Sequence, residues 1–565
     1  MFKKKKITVA LLAIFATSAE AERYKIEGTD YELEKTRQYA VENAVKIDTK
    51  RVFESTEEFN SYMDDLQKKF TNERVFDSAT VSWSAVHIEE ENKEESESEE
   101  IAKTEESDAT ETTDLETEKS EESAEALSST DLDKDEIEPI IPVRIKVVAK
   151  DSKHLLIVPY PKFSSSDGFN FKIKMKDMNF IGTMSPLTAD LDFSIEPDDE
   201  DETKDNVVFG INFDYAYPFP LGPFKSSWNN NFGINWTIGN SLPEYDATTG
   251  FTFELPFDNF SIVLDVSQSL TRDTEYSKYD DELYATSDVK LSIPVTVARI
   301  DNWADVKWTP YTEVVANYDF DGIDKKNDDL SSPTLTFGHE VSTGRVNWVG
   351  NFRDGIELSL GQSVGYNFQR ENYMPKVTAQ AKAYKAFRYA GVNARIYTFA
   401  AMNTNENVGS MLRGIRKNQK YADLDKKALS TNAAIVASLD IPIHIITTDW
   451  EGWIKKIFGE ESWMAEHFGW MRTFDFELQI APFGDLALTH NEVTGKAFAI
   501  KDGWYAGGIE VLVFPKKWRS IVVRGSLGID AGRKLVNKVV PKLFDDSWRS
   551  GGSAYEVYIG VGLQY

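Results

Sequence analysis

The chain has 565 residues, of which 93 are Asp or Glu, 63 are Lys or Arg, and none is Cys. The absence of cysteine excludes disulfides, zinc–thiolate sites, cysteine nucleophiles and a lipid anchor on cysteine. The formal charge of −30 disfavours a nucleic-acid partner, which would need a basic patch. An aromatic content of 12% together with 33 glycines suits a β-rich membrane barrel.

Residues 1–21 have the three parts of a secretory signal peptide. A basic start at Lys3 to Lys6 precedes an apolar run from Ile7 to Phe15, and the small-residue site Ala19-Glu20-Ala21 follows. No later run of about 18 uncharged apolar residues occurs, so we expect no transmembrane helix. An exported chain without a transmembrane helix is expected to be a soluble periplasmic protein, a secreted protein or a membrane barrel.

The negative charge is concentrated in one segment, residues 89–139. Between Glu89 and Glu138 there are 23 acidic residues and 4 lysines, which gives this stretch a net charge of −19. Low complexity, few aromatic residues and high charge predict that it cannot bury enough apolar surface to fold. We interpret it as a disordered insertion in a surface turn.

The flanking residues 22–88 and 140–165 together predict a small α+β domain. Tyr24 to Gly28 has the pattern of a short strand, and helical spacing follows it. Ser55 with Glu58 forms a capping box at the start of a second helix. Alternation then predicts two strands, one before and one after the acidic insertion. The helical and alternating positions are Val41, Ala44, Val45, Phe59, Tyr62, Leu66, Phe70, Ala79, Val81, Trp83, Ala85, Val143, Ile145 and Val147.

This order of strand, helix, helix, strand, strand, with the opening RYKIEG at Arg23 to Gly28, resembles a POTRA domain. POTRA domains are periplasmic modules that precede the barrel in the BamA/TamA superfamily. On these residues alone, another small α+β domain is the alternative.

Residues 166–565 repeat short alternating segments separated by Gly, Asn, Asp and Pro, as transmembrane barrel strands do. Before residue 403 there are eleven or twelve candidate strands, and five come after residue 430, so about 16 are expected. A soluble sandwich would show the same alternation. The ending on an aromatic residue, Tyr565, resembles the C-terminal signal of outer-membrane barrels. The last strand has an apolar face at Tyr555, Val557, Ile559, Val561, Leu563 and Tyr565.

A polar stretch of about 30 residues separates the two sets of strands, and it contains Leu412, Arg413, Gly414 and Ile415. This quartet resembles the VRGF/Y motif on the long extracellular loop of the BamA/TamA superfamily that folds back into the barrel. The resemblance implies that Arg413 is held by acidic residues on the next two strands.

Two aspartates match those positions. Asp440 and Asp485 alternate with apolar residues on their strands, so both are expected to face the lumen. Arg524-Gly525 is a second Arg-Gly pair that could match the motif, but it lies within a strand pattern and does not fit a loop motif. The chain departs from the family at Ile415, where an aromatic is usual, and at Asp440, where Glu is more common. It also departs in having a single POTRA-like unit.

No enzymatic site is expected. Gly361 to Gly365 matches a hydrolase nucleophile elbow around Ser363, but it lies inside an alternating segment instead of a strand–turn–helix. The six histidines lack metal-ligand spacing, so we expect no catalytic residue, metal or cofactor. Trp450 to Met471 has the pattern of a short amphipathic helix in a loop, for which loop packing is the default and membrane-surface contact an alternative.

The expected fold is mainly β: an outer-membrane antiparallel barrel preceded by a POTRA-like domain in the periplasm. The resemblance implies insertion or translocation of polypeptides, with a POTRA strand edge that binds an extended client. It also implies a seam that opens between the first and last barrel strands, near Phe169 to Asn179 and Tyr555 to Tyr565. The partners would be an unfolded or exported polypeptide, outer-membrane lipid and periplasmic accessory proteins. The alternatives are a passive porin and an outer-membrane hydrolase.

Overall fold

The computed structural model describes eleven stretches of the chain: residues 22–86, 140–164, 168–197, 205–272, 283–300, 303–318, 332–415, 419–424, 426–536, 547–550 and 555–561. The predicted signal peptide and the predicted acidic insertion lie outside these residues, as does Tyr565.

The N-terminal elements form a four-stranded sheet with two helices, and the strand order is β2-β1-β4-β3. The helix α2 begins where the capping box predicts, because the Ser55 hydroxyl accepts a hydrogen bond from Glu58 N at 3.2 Å. The Glu58 carboxylate accepts in turn from Glu54 N at 2.9 Å. These elements are β1 Arg23–Leu33, α1 Gln38–Ala44, β2 Val52–Phe53, α2 Thr56–Asn72, β3 Phe76–Ala85 and β4 Ile140–Asp151.

By its contacts the described chain divides into two compact units. The smaller unit comprises residues 22–30, 48–60, 82–86 and 140–146, and its core includes Tyr24 stacked on Phe59 with ring centroids 4.8 Å apart. The larger unit comprises residues 31–47, 61–81 and the described residues from 147 onward.

The larger unit contains a closed antiparallel barrel of 21 strand segments. Two barrel strands are interrupted, because β12 and β13 both pair with β14, and β21 and β22 both pair with β23. Counting each of these pairs once, and leaving out the two-residue β24, gives 18 strands among the described residues.

The first segments in chain order are β5 Leu155–Ser164, β6 Gly168–Asp177, β7 Leu187–Pro197, β8 Asp205–Leu221, β9 Phe224–Thr237, β10 Glu244–Pro256, β11 Ser261–Arg272, β12 Leu283–Ser292, β13 Val295–Arg299, β14 Asp305–Tyr318, β15 Thr334–Val349, β16 Phe352–Asn367, β17 Asn372–Ala386 and β18 Gly391–Ala401. The remaining strands are β19 Glu406–Asn407, β20 Ser430–Thr431, β21 Ala433–Asp440, β22 Ile443–Thr447, β23 Phe476–Asn491, β24 Lys496–Ala497, β25 Trp504–Pro515, β26 Val523–Asp530 and β27 Tyr555–Val561. Of these, β19 and β20 pair with each other outside the barrel.

The mainly β barrel is confirmed, but the estimate of 16 strands was too low. Thirteen strands precede residue 402, and the five expected after residue 430 are present. The first barrel strand is β5 rather than the segment near Phe169, because β5 pairs with both β6 and β27. This strand lies within residues 140–165, which the sequence assigned to the N-terminal part. It contains Pro159 and Pro161, although proline lacks the N–H that a central strand needs.

Alternation sorts the barrel's side chains into an apolar exterior and a polar lumen, as in transmembrane barrels. On the lumen side, Lys382 pairs with Glu357 at 3.1 Å and Lys290 with Glu313 at 3.6 Å. Among the described residues, no helix combines the length and apolarity needed to cross a bilayer. The exposed exterior rows include Leu191, Phe209, Ile211, Leu264, Val289, Phe337, Leu358, Leu360, Leu439, Ile509 and Leu527.

The two ends of the barrel differ in their connections. At the end called here the plug end, β18 finishes at Ala401 and β21 begins at Ala433. At the opposite, short-turn end, the connections 222–223 and 350–351 have two residues each. The longest described connection at the short-turn end lies between β22 and β23, and it contains the helices α3 Trp450–Phe458 and α4 Trp463–His467.

Candidate functional site

The described residues of the polar stretch between β18 and β21 fold into the barrel lumen, and we call them the plug. They are residues 402–415, 419–424 and 426–432. Its base is closed by the β19–β20 pair, and Glu406 accepts a hydrogen bond from the Tyr397 hydroxyl at 2.8 Å. Deeper in, the described plug residues pack against the inner faces of barrel strands. The buried cluster comprises Phe399, Val408, Leu412, Ile415, Tyr421, Ala428, Leu429, Ala434, Val436, Ala487, Trp504, Ala506 and Trp548.

The structure brings Arg413, Asp440 and Asp485 together. The guanidinium donates to Asp485 from Nε at 2.9 Å and from Nη2 at 2.7 Å, and the backbone N of Arg413 donates to the same carboxylate at 3.0 Å. Nη2 also donates to Asp440 at 2.7 Å. All three side chains are buried, so these charge-assisted bonds fix the plug at one point of the lumen wall.

Two further residues, not expected from the sequence, complete the arginine's surroundings. Glu510 on β25 lies 3.7 Å from Arg413 Nη1 and 3.3 Å from Arg524 Nη1. The Phe483 ring lies under the guanidinium, with its centroid 3.6 Å from the arginine's central carbon. Alternation could have found Glu510, because Ile509, Val511 and Val513 form the opposite face of its strand.

The motif glycine reaches the last barrel strand. Gly414 has a φ of +86°, a conformation that glycine adopts at low cost. Its backbone N donates to the Glu556 carboxylate on β27 at 3.3 Å. Through Arg413 and Gly414 the plug therefore contacts β21, β23, β25 and β27.

A second buried arginine ties the plug to the segment before the last strand. Arg549 lies over Trp504, 4.1 Å from the ring centroid, and donates to Gly503 O at 3.0 Å. Its neighbour Trp548 accepts a backbone bond from Ala422 N at 2.8 Å. No periodic pattern in the sequence points to this contact.

The barrel closes between β27 and β5. Among the described residues this register has two pairs, Glu556 with Ser164 and Val557 with Phe163. On its other side β27 pairs with β26 at seven positions, from Tyr555 to Val561. Tyr555 thus lies on the last strand as expected, at the plug end and beyond the two seam pairs.

The residues considered as catalytic or metal-binding candidates in the sequence do not lie together in a site. Ser363 lies in the middle of β16 and is paired with Gly338 and Lys376 on the neighbouring strands. His444 contacts the Thr447 hydroxyl at 2.8 Å. Within the described stretches, no three His, Asp or Glu side chains are grouped so that they could bind a metal ion.

No family model matches the chain, and no curated protein matches its sequence. Among solved structures, CdiB from Acinetobacter baumannii is 9% identical, with a TM-score of 0.42 over 95% of this chain and 74% of that one. BamA from Haemophilus ducreyi lacking POTRA domains 1-3 is 11% identical, with a TM-score of 0.35 over 95% of this chain and 85% of that one. CdiB from Escherichia coli is 6% identical, with a TM-score of 0.35 over 98% of this chain and 93% of that one. At these values the likenesses specify neither a family nor an activity.

Proposed function

We propose that this chain is an outer-membrane barrel of the BamA/TamA type that inserts or translocates polypeptides, with its POTRA-like N-terminal domain in the periplasm. Arg413, Asp440 and Asp485 anchor the plug in this proposal, and the seam between β5 and β27 is the part that opens. The client is an unfolded or exported polypeptide, and no chemical step is required.

The observation that carries the proposal is the contact of the anchored plug with the seam. The Arg413 network holds the plug in the lumen, and the next residue, Gly414, donates to Glu556. Glu556 is itself one of the two β27 residues paired with β5. A passive porin needs an open lumen, whereas a plug that touches the strand pair at which the barrel closes suits a barrel that works at its seam.

The seam has the properties of a strand edge that can accept another strand. Among the described residues the register between β27 and β5 has two pairs, and sparsely paired strand edges are templates for pairing with another chain. Pro159 and Pro161 lie on β5, which pairs with β6 at all ten positions. Since proline is confined to strand edges, their missing N–H groups fit the seam side of β5.

A pair of engineered disulfides tests the role of the seam, since the chain has no cysteine of its own. Phe163→Cys with Val557→Cys joins β5 to β27 at a register pair. The matched control, Leu527→Cys with Val557→Cys, joins β26 to the same residue of β27. Each variant replaces the wild-type chain in cells, and the outer-membrane and secreted proteins are quantified with and without a reductant.

The proposal predicts that the β5–β27 disulfide lowers the amounts of outer-membrane and secreted proteins, and that a reductant restores them. The β26–β27 disulfide should have no effect. Full function with the β5–β27 crosslink formed would refute seam opening. Loss of small-solute uptake with both protein sets unchanged would instead favour the porin.

A further inference from the structure

The connection between β22 and β23 is a folded projection from the short-turn end. Residues 448–475 form α3, α4 and a final turn, whereas the connection 387–390 beside it has four residues. The projection's base is closed, because Thr448 N donates to Phe476 O at 2.8 Å and Phe476 N donates to the Thr448 hydroxyl at 2.7 Å. Asp475 accepts from Trp450 N at 2.9 Å at the same point.

Both helices are capped by their own side chains. Asp449 accepts from Gly452 N at 3.0 Å, and Ser462 accepts from Ala465 N at 3.1 Å. Glu451 and Lys455 pair one turn apart at 2.5 Å on α3. The projection is therefore held in a folded form by local bonds, and its outer surface is available in that form.

That outer surface is strongly apolar. Its large apolar side chains are between 52% and 73% exposed, far more than a soluble surface normally leaves in one place. The set is Ile457, Phe458, Trp463, Trp470 and Phe474. Aromatic and branched residues of this kind are typical of helices that lie in a membrane interface.

The adjoining barrel surface points to lipid as the occupant. The strand that leads into α3 carries the exposed exterior row Leu439, Ile441, Ile443 and Ile445. The neighbouring connection 387–390 places the exposed aromatic residues Phe387 and Tyr389 at the same end. Barrels carry such aromatic girdles where the apolar band meets water. The projection is thus continuous with the barrel's own lipid-facing belt.

Charge argues for apolar insertion rather than attraction to anionic headgroups. Residues 449–475 contain six acidic residues and three Lys or Arg, so the projection is not basic. Trp side chains are enriched at the headgroup level of both leaflets.

We propose that α3 and α4 lie in the membrane interface at the short-turn end of the barrel and anchor that rim to the bilayer through Ile457, Phe458 and the neighbouring tryptophans. The inference rests on the proposed membrane location of the barrel. Its partner is the acyl-chain boundary of one leaflet.

Single-cysteine labelling of the full chain tests this, because the absence of native cysteine makes every label unique. Ile457→Cys reports on the apolar face, and the adjacent exposed Lys456→Cys is the matched control. Phe337→Cys, on the exposed exterior of β15, is the reference for the lipid belt. Each variant carries an environment-sensitive fluorophore in phosphatidylcholine nanodiscs made with or without brominated acyl chains.

The expected result is that brominated lipid quenches the labels at residues 457 and 337 by a similar fraction, while the label at residue 456 keeps most of its emission. Quenching at 337 with none at 457 would overturn the interfacial anchor and leave the membrane barrel standing. No quenching at either position would overturn the membrane barrel as well. Residues 456 and 457 are both exposed, so neither label has to displace a buried side chain.

Discussion

The backbones of Gly414 in the plug and Gly528 on β26 lie so close together that neither residue has room for a Cβ atom. A Cβ on Gly414 would lie 2.4 Å from the carbonyl carbon of Gly528, and one on Gly528 would lie 2.9 Å from the carbonyl carbon of Arg413. The residue after the anchoring arginine therefore rests directly on the lumen wall. This contact sets how deeply the plug sits.

Gly414→Ala should loosen the plug for two reasons, its φ of +86° and the clash with Gly528. The backbone strain alone costs about 1–2 kcal/mol for a non-glycine residue. Gly495→Ala is the matched control, because Gly495 has a φ of +66° and nothing within 4 Å of its added Cβ. Urea unfolding midpoints of the folded barrel should fall further for Gly414→Ala. Equal shifts would mean that the contact with Gly528 is dispensable.

Arg413→Ala should release the plug, because it leaves Asp440 and Asp485 buried without their cation. Breaking one side of a buried ion pair costs about 3–5 kcal/mol. In planar lipid bilayers the variant should show frequent large openings where the wild type stays mostly closed. Arg388→Ala, an exposed arginine at the short-turn end, should conduct like the wild type. A closed Arg413→Ala barrel would contradict the anchoring role.

The two aspartates should not contribute equally. Asp485 accepts three hydrogen bonds from Arg413, whereas Asp440 accepts one. Each hydrogen bond to a charged group contributes roughly 1.5–3 kcal/mol. Asp485→Asn should therefore lower the unfolding midpoint and raise conductance more than Asp440→Asn does. The reverse order would show that the network is held mainly from β21.

Much of this network follows from alternation along single strands. The pattern predicted that Asp440 and Asp485 face the lumen, and the structure places both there because the pairing of β21 with β23 runs without a register shift. Glu510 obeys the same rule and could have been predicted. The stacking of Arg549 on Trp504 could not, since it joins residues 45 positions apart across a loop and a strand.

The strand count shows where local patterns mislead. Pro159 and Pro161 lie on β5, a barrel strand within residues 140–165 that the sequence assigned to the N-terminal part. Such a strand tolerates proline where one edge is sparsely paired, as the described seam residues are. Hairpins such as β15–β16 turn within two residues, so few polar residues mark their boundary. Both features hide strands without altering the alternation that defines the barrel.

Gln67 should restrict access to an edge of the N-terminal sheet. Its amide donates to Ala79 O at 2.9 Å and accepts from Val81 N at 2.8 Å, on β3. The backbone N–H of Val86, just beyond β3, donates instead to Pro142 O on β4. Because the backbone groups of successive residues point to opposite sides of a strand, the even-numbered residues of β3 face β4. Its odd-numbered residues, including Ala79 and Val81, face the free edge.

Gln67→Ala should therefore bind an extended peptide more tightly, by roughly 5-fold to 150-fold if each of the two freed backbone groups gains roughly 0.5–1.5 kcal/mol. The probe is a fluorescent peptide with the sequence of residues 555–565, measured by anisotropy against the full chain. Gln38→Ala on α1 is the control. Unchanged or weaker binding by Gln67→Ala would exclude this edge as the binding site.

Asp65 on α2 makes the attachment of that helix to β15 sensitive to acid. Burial raises the pKa of Asp65, but hydrogen bonds from Arg345 and Lys69 outweigh it, so its pKa lies below the ordinary value. A lowered folded pKa stabilises the attachment above about pH 4, the unfolded value, and the stabilisation is lost as the pH falls through the folded pKa.

Hydrogen-exchange protection of α2, taken relative to the intrinsic exchange rate at each pH, should fall with acidification in the wild type. In Asp65→Asn this protection should be low already near pH 7 and change little as the pH falls. Asp64→Asn, at an exposed position, should follow the wild type. A pH response retained in Asp65→Asn would assign the acid sensitivity to another group.

The central claim, that the barrel handles polypeptides, is tested most directly by depleting the protein and quantifying outer-membrane and secreted proteins. Loss of several barrels, or of one exported protein, is the predicted result, and the wild-type chain should restore it while Arg413→Ala should not. Unchanged protein sets accompanied by reduced uptake of small solutes would contradict the claim and identify a solute channel.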